Sequence, residues 1–346
     1  MNEPLFTVNL VVFNGEKYIR HCLNSVRNQT YSHNRIEFNI LDNASTDSTK
    51  TIIKELANEF GDFAKFKLIE NIKNLGMWPE QEKLFKETSG KYFLVLAVDV
   101  ILDKDFIKNT VETMEKNPKV GALQPKVYRH DIGNLELKHG IIDTCGFQIF
   151  KSRRIINIGQ GETDIGQFNQ EKEIFAVEGA APVFRKEAFE SLRIGNEIVD
   201  HEFFWYSDDL DIAWRMRVFG WKEVFSPNVV CWHDRQTAKS PGGGWWWNYL
   251  SRVKIRRQIT IKKRRLEWRN TRFTIIKNDY TINILKDLPY IVKREIMVLS
   301  YMILFEPKVF LEVPVFLKLL PRMFMKRRQI MKRRVAAPEE MRKWFI

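Results

Sequence analysis

The sequence predicts an α/β fold, in which a sheet of mainly parallel strands carries helices on both faces and is followed by a basic, mainly helical C-terminal extension. Two observations lead to this prediction. Strand-like and helix-like runs alternate through the first hundred residues. Beyond residue 250, clusters of Lys and Arg alternate with large aliphatic side chains, as in basic amphipathic helices.

The elements of the first half follow from the spacing of the apolar residues. Short β-branched or aromatic runs indicate buried strands, whereas apolar residues spaced three and four apart indicate helices. We expect strands at residues 6–13, 36–41, 66–70 and 92–97. We expect helices at residues 18–26, 52–60 and 79–88.

Three polar residues lie just past the ends of predicted strands: Asn14, Asp42 and Asp99. The carboxyl ends of parallel strands meet at one edge of a sheet, and ligands bind there in open α/β sheets. We therefore expect the three side chains to converge on one edge.

The alternation loosens between residues 120 and 175, where we expect an irregular antiparallel section that includes residues 146–150. Residues 240–250, which contain three glycines followed by Trp245, Trp246 and Trp247, predict a flexible boundary. These indoles suit stacking on a sugar, a membrane interface or partial core packing. We expect one domain at 1–250, with a ligand-binding half at 1–105 and a second half at 106–250, and an extension at 251–346.

The net charge of +13 is unevenly distributed. Residues 250–346 contain 25 Lys and Arg against 8 Asp and Glu, whereas residues 1–249 contain 31 against 35. A basic extension indicates an anionic partner, either a membrane or a nucleic acid, although a helical subdomain or a dimer interface would also account for it. The aliphatic content of the extension and the mild acidity of the body favour a membrane surface and disfavour nucleic acid.

The cysteines and the apolar runs limit the compartment. The three cysteines are scattered without metal-binding spacing, which indicates a reducing compartment and no disulfide framework. The N-terminal residues lack the pattern of a signal peptide, and no apolar run reaches the length of a membrane-spanning helix. We expect a cytoplasmic protein, peripheral on the inner face of the cell membrane.

An acidic cluster of Asp208, Asp209 and Asp211 opens a predicted amphipathic helix. Carboxylates at this density resist burial, and their place at the edge of a packed core suits a general base. The alternative is an acidic first helical turn, stabilised by the helix dipole. For Asp211 we expect such a structural role, with an ion pair to Arg215 one turn later.

Seven segments, taken in order, resemble the family 2 inverting glycosyltransferases, which have the glycosyltransferase-A fold, and within them the rhamnosyltransferase-like branch. The resemblance covers roughly the first 255 residues. The segments are residues 11–31, 40–49 (ILDNASTDST), 74–76 (NLG), 98–102 (VDVIL), 179–189, 203–221 (FFWYSDDLDIAWRMRVFGW) and 229–233 (VVCWH).

The resemblance implies a nucleotide-sugar site. Phe13 and Asn14 match the positions that contact the nucleotide, and Asp42 matches the aspartate that binds the base. The Asn-Gly pair would also fit an ordinary turn, and the Ala-, Ser- and Thr-rich context of Asp42 would fit a turn or a helix N-cap. Gly179 and Ala180 resemble the small residues that let the donor sugar or acceptor approach the backbone. Another matching residue is Arg252, which would pair with phosphate or else belong to the basic extension.

The resemblance also implies a divalent cation, Mg²⁺ or Mn²⁺, that bridges the two donor phosphates. Asp99 matches the last acid of the family's Asp-x-Asp element, and His233 matches a histidine that completes the metal or diphosphate site. The first acidic position of the element is Ala97, which removes one oxygen ligand.

These matches predict an enzyme that moves a sugar, with inversion, from a UDP-, dTDP- or GDP-sugar to a glycan or lipid-linked acceptor during cell-surface polysaccharide synthesis. Asp209 is the predicted general base and Asp208 its flanking acid. The alternative, suggested by Ala97, is a catalytically silent relative that binds membranes or partners. We also expect that the C-terminal region would form the contact if the protein is a homo-oligomer.

Overall fold

The computed structural model describes residues 3–132, 140–234, 253 and 256–346. The alternating pattern of the first half is confirmed there. Its strands are β1 (Phe6–Val12), β2 (Ile36–Asp42), β3 (Lys65–Glu70), β4 (Tyr92–Leu96) and β5 (Val100–Leu102). Its helices are α1 (Ile19–Arg27), α2 (Thr49–Leu56), α3 (Met77–Phe85) and α4 (Phe106–Glu115). The predicted glycine-rich boundary with its three tryptophans, and Arg252, lie outside the described residues.

The second half of the domain is richer in short strands. These are β6 (Val120–Arg129), β7 (Ile142–Thr144), β8 (Phe147–Ile149), β9 (Ile155–Asn157), β10 (Lys172–Glu173), β11 (Val183–Arg185) and β12 (Lys222–His233). Two helices, α5 (Lys186–Ser191) and α6 (Asp208–Val218), accompany them. The expected antiparallel section near residues 146–150 is present, because β8 pairs antiparallel with β9.

One large sheet has the strand order β10-β12-β6-β11-β4-β1-β2-β3, with β5 beside β12 and β7 beside β6. Strands β1 to β4 are mutually parallel. The parallel arrangement is predicted for the strands of the first hundred residues, and β11, which lies further along the chain, runs antiparallel to both β4 and β6. A strand of three residues carries no periodic signal, so the alternation pattern could not predict its direction.

The strands bury both faces, as expected for a sheet covered by helices. Along β4, Tyr92, Leu94 and Leu96 belong to one hydrophobic cluster, whereas Phe93 and Val95 belong to a second. This split follows from the alternation of side chains across a strand. Both cores therefore hold β4, and the first also holds Ala97 and Val98, which lead to Asp99.

The C-terminal extension is helical, as predicted. It comprises α7 (Ile261–Asn278), α8 (Thr281–Lys286), α9 (Leu288–Phe305), a 3₁₀ helix (Pro307–Glu312), α10 (Val313–Lys332) and α11 (Pro338–Arg342). Buried ion pairs join it to the part of the chain that forms the sheet: Arg153 Nε lies 2.7 Å from Asp279 and its Nη1 lies 2.8 Å from Asp287. Among the described residues, no helix is both long enough and apolar enough to span a membrane.

Glu223 of β12 predicts a pH dependence of stability. Burial raises the pKa of Glu223 to about 8, from 4.5, against the opposing charge of Arg217. The folded chain therefore holds a proton that the unfolded chain has released, so stability falls as the pH rises from 4.5 to about 8. We expect the unfolding free energy of Glu223→Gln, relative to that of the wild type, to rise by more than about 1 kcal/mol when the pH is raised from about 5 to about 9. Urea titrations at the two pH values measure this change.

The exposed Glu112 provides the control, since Glu112→Gln should show the same difference from the wild type at both pH values. An equal difference at both pH values for Glu223→Gln would show that this carboxyl titrates normally in the folded chain.

Candidate active site at the carboxyl edge of the sheet

The loops after β1 and β2 join at the edge of the sheet. Asn14 has a positive φ of 50°, and its Oδ1 accepts a hydrogen bond from the Thr46 backbone N–H at 2.9 Å. Its own backbone N–H donates to Ser45 Oγ at 3.0 Å. The preceding Phe13 remains 47% exposed, although the residues of β1 are buried. The structure thus brings Phe13 and Asn14 beside the loop that follows Asp42.

Asp42 ends β2 and is fully buried. Its Oδ2 accepts a hydrogen bond from the Ser45 N–H at 3.2 Å and lies 3.9 Å from Lys50 Nζ. Its Oδ1 has no hydrogen-bond partner among the described residues. The hydrogen bond from Ser45 is therefore the turn contact that the sequence allowed, and the second carboxylate oxygen of Asp42 is buried without a hydrogen-bond partner among the described residues.

Asn43 also organises this edge, and the sequence analysis did not select it. Its Oδ1 accepts hydrogen bonds from Asn71 Nδ2 and the Leu75 N–H, and its Nδ2 donates to Asn74 Oδ1 and the Gly76 carbonyl. These bonds fix the loop after β3 against the end of β2. The recurring Asn and Gly of residues 71–76 mark a turn, but its partner 30 residues earlier carries no local signal.

Asp99 and His233 lie together, because β5 begins directly after Asp99 and pairs antiparallel with β12, which places Val100 opposite His233. His233 Nε2 lies 3.3 Å from Asp99 Oδ2, and the Asp234 N–H donates to the Asp99 carbonyl at 3.0 Å. The other ring nitrogen, Nδ1, lies 2.9 Å from Asp143 Oδ2. Asp143 is a third member that the sequence analysis missed, because it lies within the irregular section and far from both partners along the chain.

The electrostatics of this group are unusual for a buried imidazole. Burial alone would lower the pKa of His233, but hydrogen bonds to Asp143 and Asp99 outweigh it and raise that pKa to about 10. The ring is therefore oriented by Asp143, with Nε2 directed at Asp99.

This pair is suited to a divalent cation that also binds a diphosphate. Mg²⁺ and Mn²⁺ sites in phosphate-transfer enzymes use one or two protein ligands, with phosphate oxygens and water as the others. Asp99 Oδ2 would supply a carboxylate ligand, and His233 Nε2 would supply an imidazole ligand once the cation displaces the proton that the ring holds without it. The described residues contain no group of three His, Cys, Asp or Glu side chains arranged to hold a metal by themselves.

Asp209 lies at the same edge of the sheet, and a short series of hydrogen bonds connects it to the segment before Asp99. The Ala97 N–H donates to the Ala180 carbonyl at 3.0 Å, which fixes residues 179–180 beside the segment that leads to Asp99. The Gly179 N–H then donates to Asp209 Oδ2 at 3.0 Å. A Cβ built at Gly179 would meet the same oxygen at 3.0 Å, so glycine allows this close approach. The structure therefore brings Gly179, Ala180 and Asp209 together, near Ala97.

Asp208 and Asp211 differ from Asp209. Asp208 is 2% exposed, and neither of its carboxylate oxygens has a hydrogen-bond partner in the described part of the chain. Burial, followed by the charges of Asp209 and Asp211, raises the pKa of Asp208 well above its usual value, so the carboxyl is held protonated. Asp211 pairs with Arg215 at 3.2 Å and Lys277 at 2.8 Å, which confirms its expected structural role.

The segment before α6 has a strained backbone. Phe204, Tyr206 and Ser207 all have positive φ angles, which L-residues other than glycine adopt at a cost of about 1 kcal/mol or more each. Asn270 of α7 holds this segment: its Nδ2 lies 3.0, 2.9 and 2.8 Å from the carbonyl oxygens of Phe203, Trp205 and Tyr206. The C-terminal extension thus determines where α6 begins, and with it the position of Asp209.

We expect Asn270→Ala and the isosteric Asn270→Asp to lower kcat by about tenfold or more, with little change in the KM of the donor, because the segment loses its amide donor and Asp209 is displaced. Steady-state kinetics on both variants checks this split. Asn109→Ala is the matched control, because it removes an exposed amide bond to the Asn228 carbonyl. A kcat at the wild-type level in both Asn270 variants would contradict the positioning role.

Comparisons with known proteins show which family this chain resembles. The model of the family described as "Glycosyl transferase family 2" matches residues 7–193. A relative from Methanococcus voltae, "Dolichyl N-acetyl-alpha-D-glucosaminyl phosphate 3-beta-D-2,3-diacetamido-2,3-dideoxy-beta-D-glucuronosyltransferase", is 33% identical over 33% of this chain and 35% of its own length. "Poly-beta-1,6-N-acetyl-D-glucosamine synthase" from Staphylococcus epidermidis is 23% identical over 64% of this chain and 48% of its own length. The matches therefore span about a third to a half of these relatives.

Solved structures show the same fold at low identity. A mannosyltransferase from Pyrobaculum calidifontis in complex with GDP-Man and Mn²⁺ has a TM-score of 0.53 at 16% identity, and the match covers 96% of this chain and 86% of that one. TarS 1–349 from S. aureus in complex with UDP has a TM-score of 0.55 at 14% identity, covering 98% and 91%. These likenesses establish the glycosyltransferase-A fold. Since the family model covers more than half of the chain, the protein is a member of glycosyl transferase family 2.

Proposed function

We propose that this chain is an inverting glycosyltransferase that moves a sugar from a nucleotide-sugar donor to a glycan or lipid-linked acceptor in cell-surface polysaccharide synthesis. The observation that carries the proposal is the position of Asp209. Its carboxylate lies at the start of α6 against the Gly179 backbone, next to the strand edge that bears Asp99 and His233. A base and a phosphate-binding group at one edge are what direct displacement at a sugar carbon needs.

The reaction follows from the roles of these residues. Asp209 accepts the proton of the acceptor hydroxyl as the hydroxyl oxygen bonds to the anomeric carbon of the donor. The bond from that carbon to the diphosphate breaks on the opposite face, and its electrons leave with the nucleoside diphosphate. One displacement inverts the configuration without a sugar–enzyme intermediate.

The two neighbouring acids support this assignment because their surroundings differ from those of Asp209. The carboxyl of Asp208 is buried and protonated, and that of Asp211 is bound to Arg215, Lys277 and Asn278. Of the three acids in the cluster, Asp209 is the one held at the half-buried edge beside Gly179. It is therefore the acid that we assign to the base, and Asp208 is a neutral neighbour rather than a second base.

The donor side of the proposal uses the other edge residues. Phe13, Asn14 and Asp42 bind the base and ribose, and the unpartnered Oδ1 of Asp42 supports this role. Asp99 and His233 would hold Mg²⁺ or Mn²⁺, which when bound neutralises charge on the departing diphosphate. Gly179 and Ala180 border the sugar, and Arg252 is the proposed additional phosphate contact.

The comparisons support a polysaccharide-related acceptor without determining it. One relative is a poly-N-acetylglucosamine synthase, and the name of another contains a dolichyl phosphate sugar. The solved neighbours hold UDP or GDP-Man. By analogy we propose a UDP-, dTDP- or GDP-sugar donor, and a reaction at the inner face of the cell membrane with the protein as a peripheral component.

Calorimetry with UDP, dTDP and GDP, with and without Mn²⁺, tests the donor site. We expect Mn²⁺-dependent binding of one nucleotide, and about a tenfold or greater loss of affinity in Asp99→Asn, because a metal ligand is removed. Asp103→Asn is the control, since Asp103 bonds the nearby Asp105 N–H instead. If none of the nucleotides binds, the donor site is misassigned and the catalytically silent alternative gains support.

A further inference from the structure

Few side chains of helix α9 pack against the rest of the described chain. Of its 18 residues, only Met302 is buried. The ten residues from Ile296 to Phe305 contain no charged side chain. Helices in proteins are stabilised mainly by burial of an apolar face. An apolar helix such as α9 gains little stability while most of its surface is in contact with water.

The exposed apolar residues of α9 lie in one stripe. Leu288, Val292, Ile296, Leu299 and Ile303 are all exposed and follow one another at intervals of three or four residues. Such spacing places side chains on a single helix face. Exposed apolar residues continue into the 3₁₀ helix and α10, at Leu311, Leu317, Phe324 and Met325.

A groove extends this stripe inward. It has a volume of about 300 Å³ and lies between α7 and α9, where Val292, Ile296 and Leu299 meet Trp268. Its walls are mainly apolar, and its acidic side chain, Glu295, is paired with Arg272. The groove is therefore suited to hydrocarbon.

The charges around the stripe are of one sign. Residues 281–334 contain 12 Lys and Arg against 4 Asp and Glu. Every one of the four acids is paired with arginine inside the molecule: Asp287 with Arg153, Glu295 with Arg272, Glu306 with Arg256 and Glu312 with Arg269.

Six bases of the same segment have no such partner. They are exposed and without an acidic partner among the described residues: Lys286, Lys293, Lys308, Lys318, Arg328 and Lys332. The outward charge of this segment is therefore basic, and the bases alternate along the chain with the exposed apolar side chains.

We propose that α9, the 3₁₀ helix and α10 form a docking surface for an anionic phospholipid bilayer, on which the chain lies without crossing it. The stripe would enter the boundary between headgroups and acyl chains, and the six bases would contact the headgroups. This deepens the proposed function by naming the surface on which a lipid-linked acceptor would be met.

Other occupants account for less of the surface. A second copy of the chain would bring two basic rims together, which is unfavourable. A nucleic acid would pair with the bases and leave the apolar stripe in water. An anionic bilayer would contact both the bases and the apolar stripe. Each Lys or Arg near its surface would contribute about 1 kcal/mol to binding, in addition to the burial of apolar side chains.

Co-sedimentation of the full chain with vesicles tests the proposal. We expect binding to vesicles that contain phosphatidylglycerol, little binding to pure phosphatidylcholine, and weaker binding as salt rises. The variant Ile296→Ser, Leu299→Ser, Ile303→Ser should lose about tenfold or more of this binding. These side chains face solvent, so the variant should keep the wild-type melting temperature, and Ile165→Ser is the control for an exposed isoleucine elsewhere.

A second variant removes charge instead of apolar surface. Lys293→Glu, Lys308→Glu, Lys318→Glu should bind anionic vesicles at least about tenfold more weakly. Failure of the wild type to bind them, or wild-type binding by both variants, would overturn the proposal. So would a dimer, detected by sedimentation velocity, that the triple serine variant abolishes. This assay does not measure sugar transfer. Vesicle binding can therefore fail while the proposed enzymatic function stands, and the enzymatic function can fail while vesicle binding stands.

Discussion

Asp209→Asn is expected to lower kcat for sugar transfer by about 10²- to 10⁴-fold, because an amide cannot accept the proton of the acceptor hydroxyl. The amide oxygen can still accept the hydrogen bond from the Gly179 N–H, so the fold at this edge should persist. Binding of the nucleoside diphosphate should therefore change little. Kinetics and calorimetry on the same preparation separate loss of the base from loss of the donor site.

The neighbouring acid provides the matched control. Asp208 is held protonated by burial, so an amide of the same shape replaces a group that is already neutral. We expect Asp208→Asn to keep kcat within about tenfold of the wild type. If Asp208→Asn were as inactive as Asp209→Asn, the two carboxyls would share the role of base, and the assignment to Asp209 alone would be wrong.

Lys277→Met is expected to give the largest loss of stability. Lys277 Nζ lies 2.6 Å from Asp200 and 2.8 Å from Asp211, and all three side chains are buried. Although burial opposes it, Lys277 and Lys326 hold the pKa of Asp200 well below its usual range, so that carboxylate stays charged. Removing one cation leaves two buried carboxylates undercompensated, at a cost of about 3 kcal/mol. Urea titration measures the change.

The size of the loss is limited by the remaining partners. Asp200 keeps Lys326 at 2.7 Å, and Asp211 keeps Arg215 at 3.2 Å. Lys262→Met on the same helix is the control; Lys262 is exposed, lies over the Phe204 ring, and should contribute less than about 1 kcal/mol. An unfolding free energy for Lys277→Met equal to that of this control would show that the buried network adds no stability.

The parts of the fold that sequence predicts well are those with a local pattern. Strands β1 to β4 are buried on both faces and separated by helices, so their alternation indicates a parallel arrangement and places Asn14, Asp42 and Asp99 at strand ends. The direction of β11 escapes such reasoning, because its three residues pair with strands far away along the chain.

The site shows the same division. Asp209 and Asp99 lie within recognisable segments, whereas Asp143, Asn43 and Asn270 act through contacts that no sequence spacing reveals. Asn270 lies more than 60 residues beyond the segment that it holds, in an extension whose basic composition suggests only an anionic partner. Its role follows from tertiary packing of α7 against the segment before α6.

The stereochemistry of the product tests the central claim most directly. With the nucleotide sugar that calorimetry identifies as a ligand and a suitable acceptor, ¹H NMR of the first product reports the anomeric configuration before any later exchange. Direct displacement assisted by Asp209 predicts a configuration opposite to that of the donor, and product formation by Asp209→Asn that is slower by about 10²- to 10⁴-fold. A product that retains the donor configuration would contradict the single displacement and the role of Asp209 in it.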